Sequence, residues 1–258
     1  MLFRSKDGYM PGIRNRRTYG ILQDVTTVVN VGIETGQVFW DVSGWSRNLF
    51  KGMDKNHFHF YNLGAVSGVG LSSTKSVNSD FTVFGINQVT SGFYMSKASD
   101  TSRTNLYDKG QVAVLFTRLN AQYGPINTSI SMDFAPGGIS DWAFSRLTIS
   151  NQAEGEVGRF GTRVRSYIGR TWSEDKGIPM QERYTIEGAG SGDTYRKSYL
   201  RDESSFYGDL DLRNRYHLAG DGNLRAFANQ GFVGVEQMTN ATVETFLTHS
   251  ISGLKIEL

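Results

Sequence analysis

Residues 206–218, FYGDLDLRNRYHL, constrain this chain more than any other stretch. Tyr207, Asp209, Asp211, Arg213, Arg215 and His217 take alternate positions, and Phe206, Gly208, Leu210, Leu212, Asn214, Tyr216 and Leu218 take the rest. Side chains of a strand point alternately to its two faces, so the pattern predicts a strand with one charged wall and one mostly apolar wall. At ~3.3 Å per residue it reaches ~43 Å, enough when tilted by ~45° to cross the ~30 Å hydrocarbon core of a bilayer. Strands of soluble sandwiches usually run to only ~5–6 residues.

Residues 159–168, RFGTRVRSYI, have the same character. Arg159, Gly161, Arg163, Arg165 and Tyr167 share one face; Phe160, Thr162, Val164, Ser166 and Ile168 share the other. Lipid outside and a polar lumen inside produce this division in a transmembrane barrel. An exposed antiparallel strand with one face on a soluble core produces it too. Strand length, repetition and aromatic placement must separate the two.

Repetition is evident along the chain. Residues 25–33 and 38–45 alternate around a turn at Glu34-Thr35-Gly36, which predicts a hairpin. The basic run Arg14, Arg16, Arg17 reads either as a solvated loop or as a first strand facing a polar lumen. Residues 57–71 read as one long strand with His59, Tyr61, Leu63, Ala65, Ser67, Val69 and Leu71 on a face, followed by a loop at 72–80. Glycines on its other face leave room for bulky neighbours or mark bends. Further strands are expected at 81–97, 111–123, 127–135, 141–151, 181–187, 223–234 and 242–258, with turns at Gly124-Pro125, Pro136-Gly137-Gly138 and Gly220-Asp221-Gly222. A long polar loop is expected at 188–205. The expectation is therefore all-β: one antiparallel transmembrane β-barrel domain of roughly twelve strands over residues 1–258. Aromatic residues gather near strand ends, as in Trp40 and Trp45, Trp142 and Phe144, Tyr167 and Trp172. Interfacial girdles of a barrel have this arrangement.

Bulk properties agree and exclude several classes. There is no cysteine, hence neither a disulfide nor a thiolate zinc site. A net charge of +2 gives no global basic field for nucleic acid. Mean hydropathy is −0.36 and no run of apolar residues is long enough for a transmembrane helix. A barrel needs apolar residues only at alternate positions, so low hydropathy does not exclude one. The opening MLFRSKDG lacks the apolar core of a signal peptide, so the chain is expected to be a fragment of a longer precursor.

Chemistry-bearing motifs are sparse. His57 and His59 lie on one face of a strand, but a metal needs three or four ligands and no HExxH accompanies them. There is no G-x-S-x-G elbow and no P-loop; Ser191 sits in GSG. Asp209 and Asp211 beside Arg213 and Arg215 read as ion-pair partners rather than as an acid–base couple. No enzymatic activity and no cofactor are expected. Instead Arg159, Arg163 and Arg165 are expected to face Asp209 and Asp211 across a lumen, with Glu187 between them.

The order of parts across residues 158–230 resembles the C-terminal half of the bacterial surface-antigen barrels, the BamA/TamA-like outer-membrane proteins. An arginine-bearing strand ends RSYIGRTW, PMQERYTIEGAG follows, then a loop with YRKSYLRD, then FYGDLDLRNRY. The start, RSKDGYMPG, is similar to the opening of such barrels, including the variant that follows a periplasmic metallopeptidase-like domain. In that family a loop with an arginine-glycine-aromatic motif folds into the lumen, and its arginine pairs with acids of the wall. Arg196 matches that arginine and Tyr199 the aromatic; the glycine is missing and two extra residues intervene. ISGLKIEL lacks the family's terminal aromatic strand, which implies truncation or an unusual closure. The resemblance implies the bacterial outer membrane, with the lipid bilayer and nascent outer-membrane proteins as partners. The implied function is protein insertion or translocation, or anchoring of a missing periplasmic domain. The alternatives are a passive pore and a soluble β-sandwich module that binds carbohydrate through exposed Trp and Tyr.

Overall fold

The structure is a computed structural model that describes residues 11–20, 23–34, 36–47, 49–62, 64, 66–77, 85–99, 108–157, 160–174, 176–185 and 234–247. Within these the chain is all-β, and no α-helix occurs among them. Ten strands follow one another in sequence order: β1 (Gly12–Tyr19), β2 (Gln23–Val31), β3 (Val38–Ser46), β4 (Lys55–Asn62), β5 (Val66–Ser76), β6 (Ile86–Ala98), β7 (Gly110–Tyr123), β8 (Ile126–Ala135), β9 (Phe144–Val157) and β10 (Phe160–Ser173). After a 3₁₀ turn at Met180–Glu182 come the short β11 (Tyr184–Thr185) and β12 (Gly234–Val235), which pair with each other, and then β13 (Gln237–Leu247). Strands β1 to β10 and β13 make one antiparallel sheet of 11 strands in the order β1 through β10, then β13. This sheet is not closed: β1 and β13 are its margins among the described strands.

The alternation in the sequence becomes two unlike faces. Arg16 on β1 and Arg146 on β9 line the same cavity, so the sheet curves round it and has an inner and an outer face. Inner positions carry Asp24, His57, His59, Tyr94, Arg118, Asp133 and Arg146. Outer positions carry Val29, Val38, Trp40, Phe60, Leu115, Met132, Phe134, Val164, Ile168, Trp172 and Val243, all of them more than a third exposed. Among the most exposed residues of the outer face, Tyr123 at 79% and Phe160 at 60% stand at strand ends, and Val243 at 68% stands in mid-strand. Apolar packing is instead found on the inner face, where Val112, Val114, Ala135 and Phe144 enclose Ile178.

Several expectations hold in detail. The hairpin of β2 and β3 pairs Val31 with Val38, as the alternation on either side of residues 34–36 requires. Arg14, Arg16 and Arg17 lie on a strand; Arg14 and Arg16 are on its inner side, where Arg16 forks onto Asp24 of β2, and Arg17 takes an outer position. β7 and β8 keep Ile130, Met132 and Phe134 on the face opposite to Ser129, Ser131 and Asp133, turning at Gly124 with φ +57°.

Four expectations are corrected. Residues 57–71 are not one strand but the two arms of a hairpin, β4 and β5. Gly64, at φ +80° and with its amide donating to Asn62 Oδ1 (3.0 Å), stands between the arms and reverses the chain. The reversal moves Ser67, Val69 and Leu71 to the outer face while His59 and Tyr61 stay inside. The loop expected at 72–80 is strand as far as Ser76, continuing the β5 ladder to β6. Of the strand expected at 181–187, the described residues 181–185 form the end of a 3₁₀ turn followed by two paired residues, because Met180–Glu182 turn inward over the sheet. The last strand starts at Gln237 rather than at residue 242, since its ladder with β10 begins at Arg170. The charged stretch 206–218, the loop 188–205 and most of 223–234 lie outside the described residues.

Candidate functional site

The inner face holds one concentrated polar site, where the segment 178–184 crosses β6 to β10. Asp133 of β8 and Arg146 of β9 are direct cross-strand partners, which places carboxylate and guanidinium side by side. Arg146 Nε donates to Asp133 Oδ2 (2.8 Å), and Ser131 Oγ donates to the other carboxylate oxygen (3.0 Å). Nη2 also donates to Asp133 Oδ2 (2.5 Å) and lies 3.2 Å from Glu182 Oε2 of the crossing segment, and Nη1 donates to the Glu182 carbonyl (2.7 Å). Tyr94 of β6 donates its hydroxyl to that same Oε2 (2.6 Å). One arginine thus joins two strands to an incoming turn, and its planar fork is suited to several acceptors at once.

Packing fixes the segment on both sides of this cluster. Ile178 is 2% exposed in its nest of Val112, Val114, Ala135 and Phe144. Tyr184 is pressed onto the sheet over Gly169, where a Cβ would come within 2.5 Å of its ring. Its edge meets Tyr167 at 5.8 Å and 82°, and its hydroxyl lies 3.1 Å from both the Leu147 carbonyl and Thr148 Oγ1. The same device appears on β5, where Gly68 makes room for the ring of Tyr61, as glycine in a long strand was expected to do. Met180 N donates to Asp108 Oδ2 (2.8 Å), tying the segment to the end of the connection before β7.

The electrostatics follow from burial. Burial pushes the Glu182 carboxyl up, while the Arg146 charge and the Tyr94 hydroxyl pull it back down. Burial likewise pushes the Tyr184 phenol up. A buried charge is tolerated only when paired and hydrogen-bonded, and every charged group here is. The arrangement has neither an activated nucleophile nor an open electrophile site, so its chemistry is that of a clamp.

Beside the clamp lies a cavity of about 800 Å³, reaching from Arg16 past Trp45, His57 and Phe116 to Arg146 and Arg183. His59 Nε2 lies 2.6 Å from Asp41 Oδ2 in its wall, an ordinary His–Asp hydrogen bond. No group of three His, Cys, Asp or Glu side chains that could hold a metal occurs among the described residues.

Of the residues singled out from sequence, Arg163 and Arg165 lie on the inner face of β10. Arg163 donates to Glu154 of the neighbouring β9 (2.5 Å), and Arg165 lies 5.6 Å from the Tyr167 ring. The acid beside Arg163 is therefore on the adjacent hairpin arm, a partner the sequence argument did not name. Arg159, Glu187, Arg196, Tyr199, Asp209, Asp211, Arg213 and Arg215 lie outside the described residues. Tyr94, Asp133, Arg146, Glu182 and Tyr184 were missed. A usable signal existed: Asp133 is the one charge at an inward position of β8, and Arg146 is the one cation at an inward position of β9, with uncharged residues on either side of it in that row.

No family model matches the chain, and no curated protein matches it in sequence.

Proposed function

We propose that this chain forms the wall of an outer-membrane β-barrel that acts in protein insertion or translocation, or that anchors a periplasmic domain in the membrane. The observation that carries the reading is the division of sides. Large apolar side chains stand exposed on the outer face from Val29 on β2 to Val243 on β13, while ion pairs and hydroxyls collect inside. Water on the outer face would leave that apolar surface uncovered; hydrocarbon covers it at no cost. Strands of up to 14 residues are long enough to cross. Tyr123 and Phe160 at one end, with Trp40 and Trp172 at the other, fit interfacial girdles. The likeness to surface-antigen barrels supplies the activity, and an internal segment clamped inside the wall is compatible with it. Its partners are then the lipid bilayer and nascent outer-membrane proteins.

Folding in detergent tests the reading. A β-rich species that forms only with detergent or lipid, and whose gel mobility changes on boiling, is expected. A monodisperse β-rich monomer in plain buffer would overturn it. The cavity of about 800 Å³ favours a second reading, a passive pore. Steady conductance across a planar bilayer, without assistance to the insertion of other barrel proteins, would select that reading over the first.

A further inference from the structure

We propose that the inner wall between β3 and β7 binds a small oxyanion of the phosphate class. The argument begins with an imbalance of charge. A second cavity of about 660 Å³ opens on this part of the wall, and Arg47, Lys55 and Arg118 all line it, with Asp54 as the acid. Asp54 is engaged already: its carboxylate accepts the Ser76 amide, which holds its carboxyl below the usual range. The acid of the adjoining cavity wall nearest to Lys55, Asp24, is held by Arg16. Lys55 and Arg118 stack on aromatic rings, Trp45 at 4.7 Å and Phe116 at 5.0 Å, and beyond its ring Lys55 has, among the described residues, only the longer-range attraction of Asp24, whose carboxylate is bonded to Arg16. Cations stacked on rings keep their charge and remain able to donate outward.

Register sets these two cations at the two ends of one row on the wall of the same cavity. Lys55 pairs across to Thr74, Thr74 to Thr90, and Thr90 to Arg118, so the four form one row over four strands. The row has a positive charge at each end and two hydroxyls between. Those hydroxyls share one hydrogen bond of 2.9 Å, which leaves one of their hydrogens to donate elsewhere. In the next row Asn120 donates to Gln88 Oε1 (3.0 Å), so the Gln88 amide nitrogen keeps its own hydrogens. Donors without matching acceptors, lining a space bounded by low-dielectric rings, suit a compact anion with several acceptor oxygens. The site lies on the inner face whichever medium bathes the outer one. Anion binding and the membrane reading therefore fail separately.

Trp45 is a built-in reporter. A protein with Trp40, Trp142 and Trp172 replaced by phenylalanine keeps Trp45 alone. Iodide is expected to quench it several-fold more effectively than caesium, and inorganic phosphate at constant ionic strength to abolish that difference. In the Lys55→Gln, Arg118→Gln double variant the two quenchers should act equally. Equal quenching in the parent, a preference that phosphate leaves intact, or one that survives both substitutions each overturns the proposal. Calorimetric titration of phosphate into the unsubstituted protein reads the site without any substitution: saturable binding to a single site supports it, and no heat beyond dilution overturns it.

Discussion

Arg146 is the residue on which the inner site turns. Replacing it by methionine keeps the bulk but leaves Asp133 and Glu182 buried without a cation, a loss of about 3–5 kcal/mol for a broken buried pair. The segment 178–184 should then become open to protease while the outer strands keep their circular dichroism; unchanged cleavage would show that packing of Ile178 and Tyr184 suffices. Gly169 tests that packing. A valine there intrudes on the Tyr184 ring and should cost about 1–3 kcal/mol in chemical unfolding, and adding Tyr184→Ala should recover part of it. If the two losses simply add, the ring does not rest on Gly169. The pH dependence comes from Glu182. Its folded pKa is raised, so the stabilisation it brings is complete below its unfolded value near pH ~4 and is lost as pH rises through the raised one. Thermal stability of Glu182→Gln should lack that decline. Parallel pH curves for the two proteins would contradict the burial of this carboxyl.

Strands carry the difference between the two faces. Arginine at Leu115 or Val164, both on the outer face, should cost about 2–4 kcal/mol for folding into lipid vesicles, whereas arginine at the inner Asn120 should cost little. Equal costs at all three positions would mean that the outer face does not meet hydrocarbon. These strands were largely legible in the sequence because alternation is a local property. Residues 25–45 and 111–135 declare their faces within a few positions, and the paired ladders follow. Alternation fails where a reversal shifts its phase. Through His57–Leu71 the outward positions are even before Gly64 (Phe58, Phe60) and odd after it (Val69, Leu71), and a single parity read across the turn joins two arms into one strand. Residues 181–187 misled for another reason: QERYTIE alternates, but Ile178 and Tyr184 gain more by docking on the sheet than the segment gains by extending. The clamp was illegible because it needs the register of β6 through β9 together with the landing of a distant turn. Alternation names a face and leaves the partner on that face open.

At the scale of the whole molecule, ten strands of the described sheet join by nearest-neighbour connections and one does not. β13 meets β10 only after residues 174–236 have intervened, so this ladder carries a loop-closure cost that the other ladders of the sheet do not. Among the described strands β13 is also a margin with a single neighbour in the sheet. Hydrogen exchange should therefore open the β10–β13 ladder before that of β7–β8; uniform protection would show that the sheet opens as one unit. The uncovered apolar face has a consequence for the chain's journey as well as for its destination. A wall that turns leucine, phenylalanine and tryptophan outward is ill suited to water, and folded copies with that face uncovered would adhere to one another. If the proposed membrane role holds, such a polypeptide would have to travel unfolded and acquire its two-sidedness only on meeting lipid.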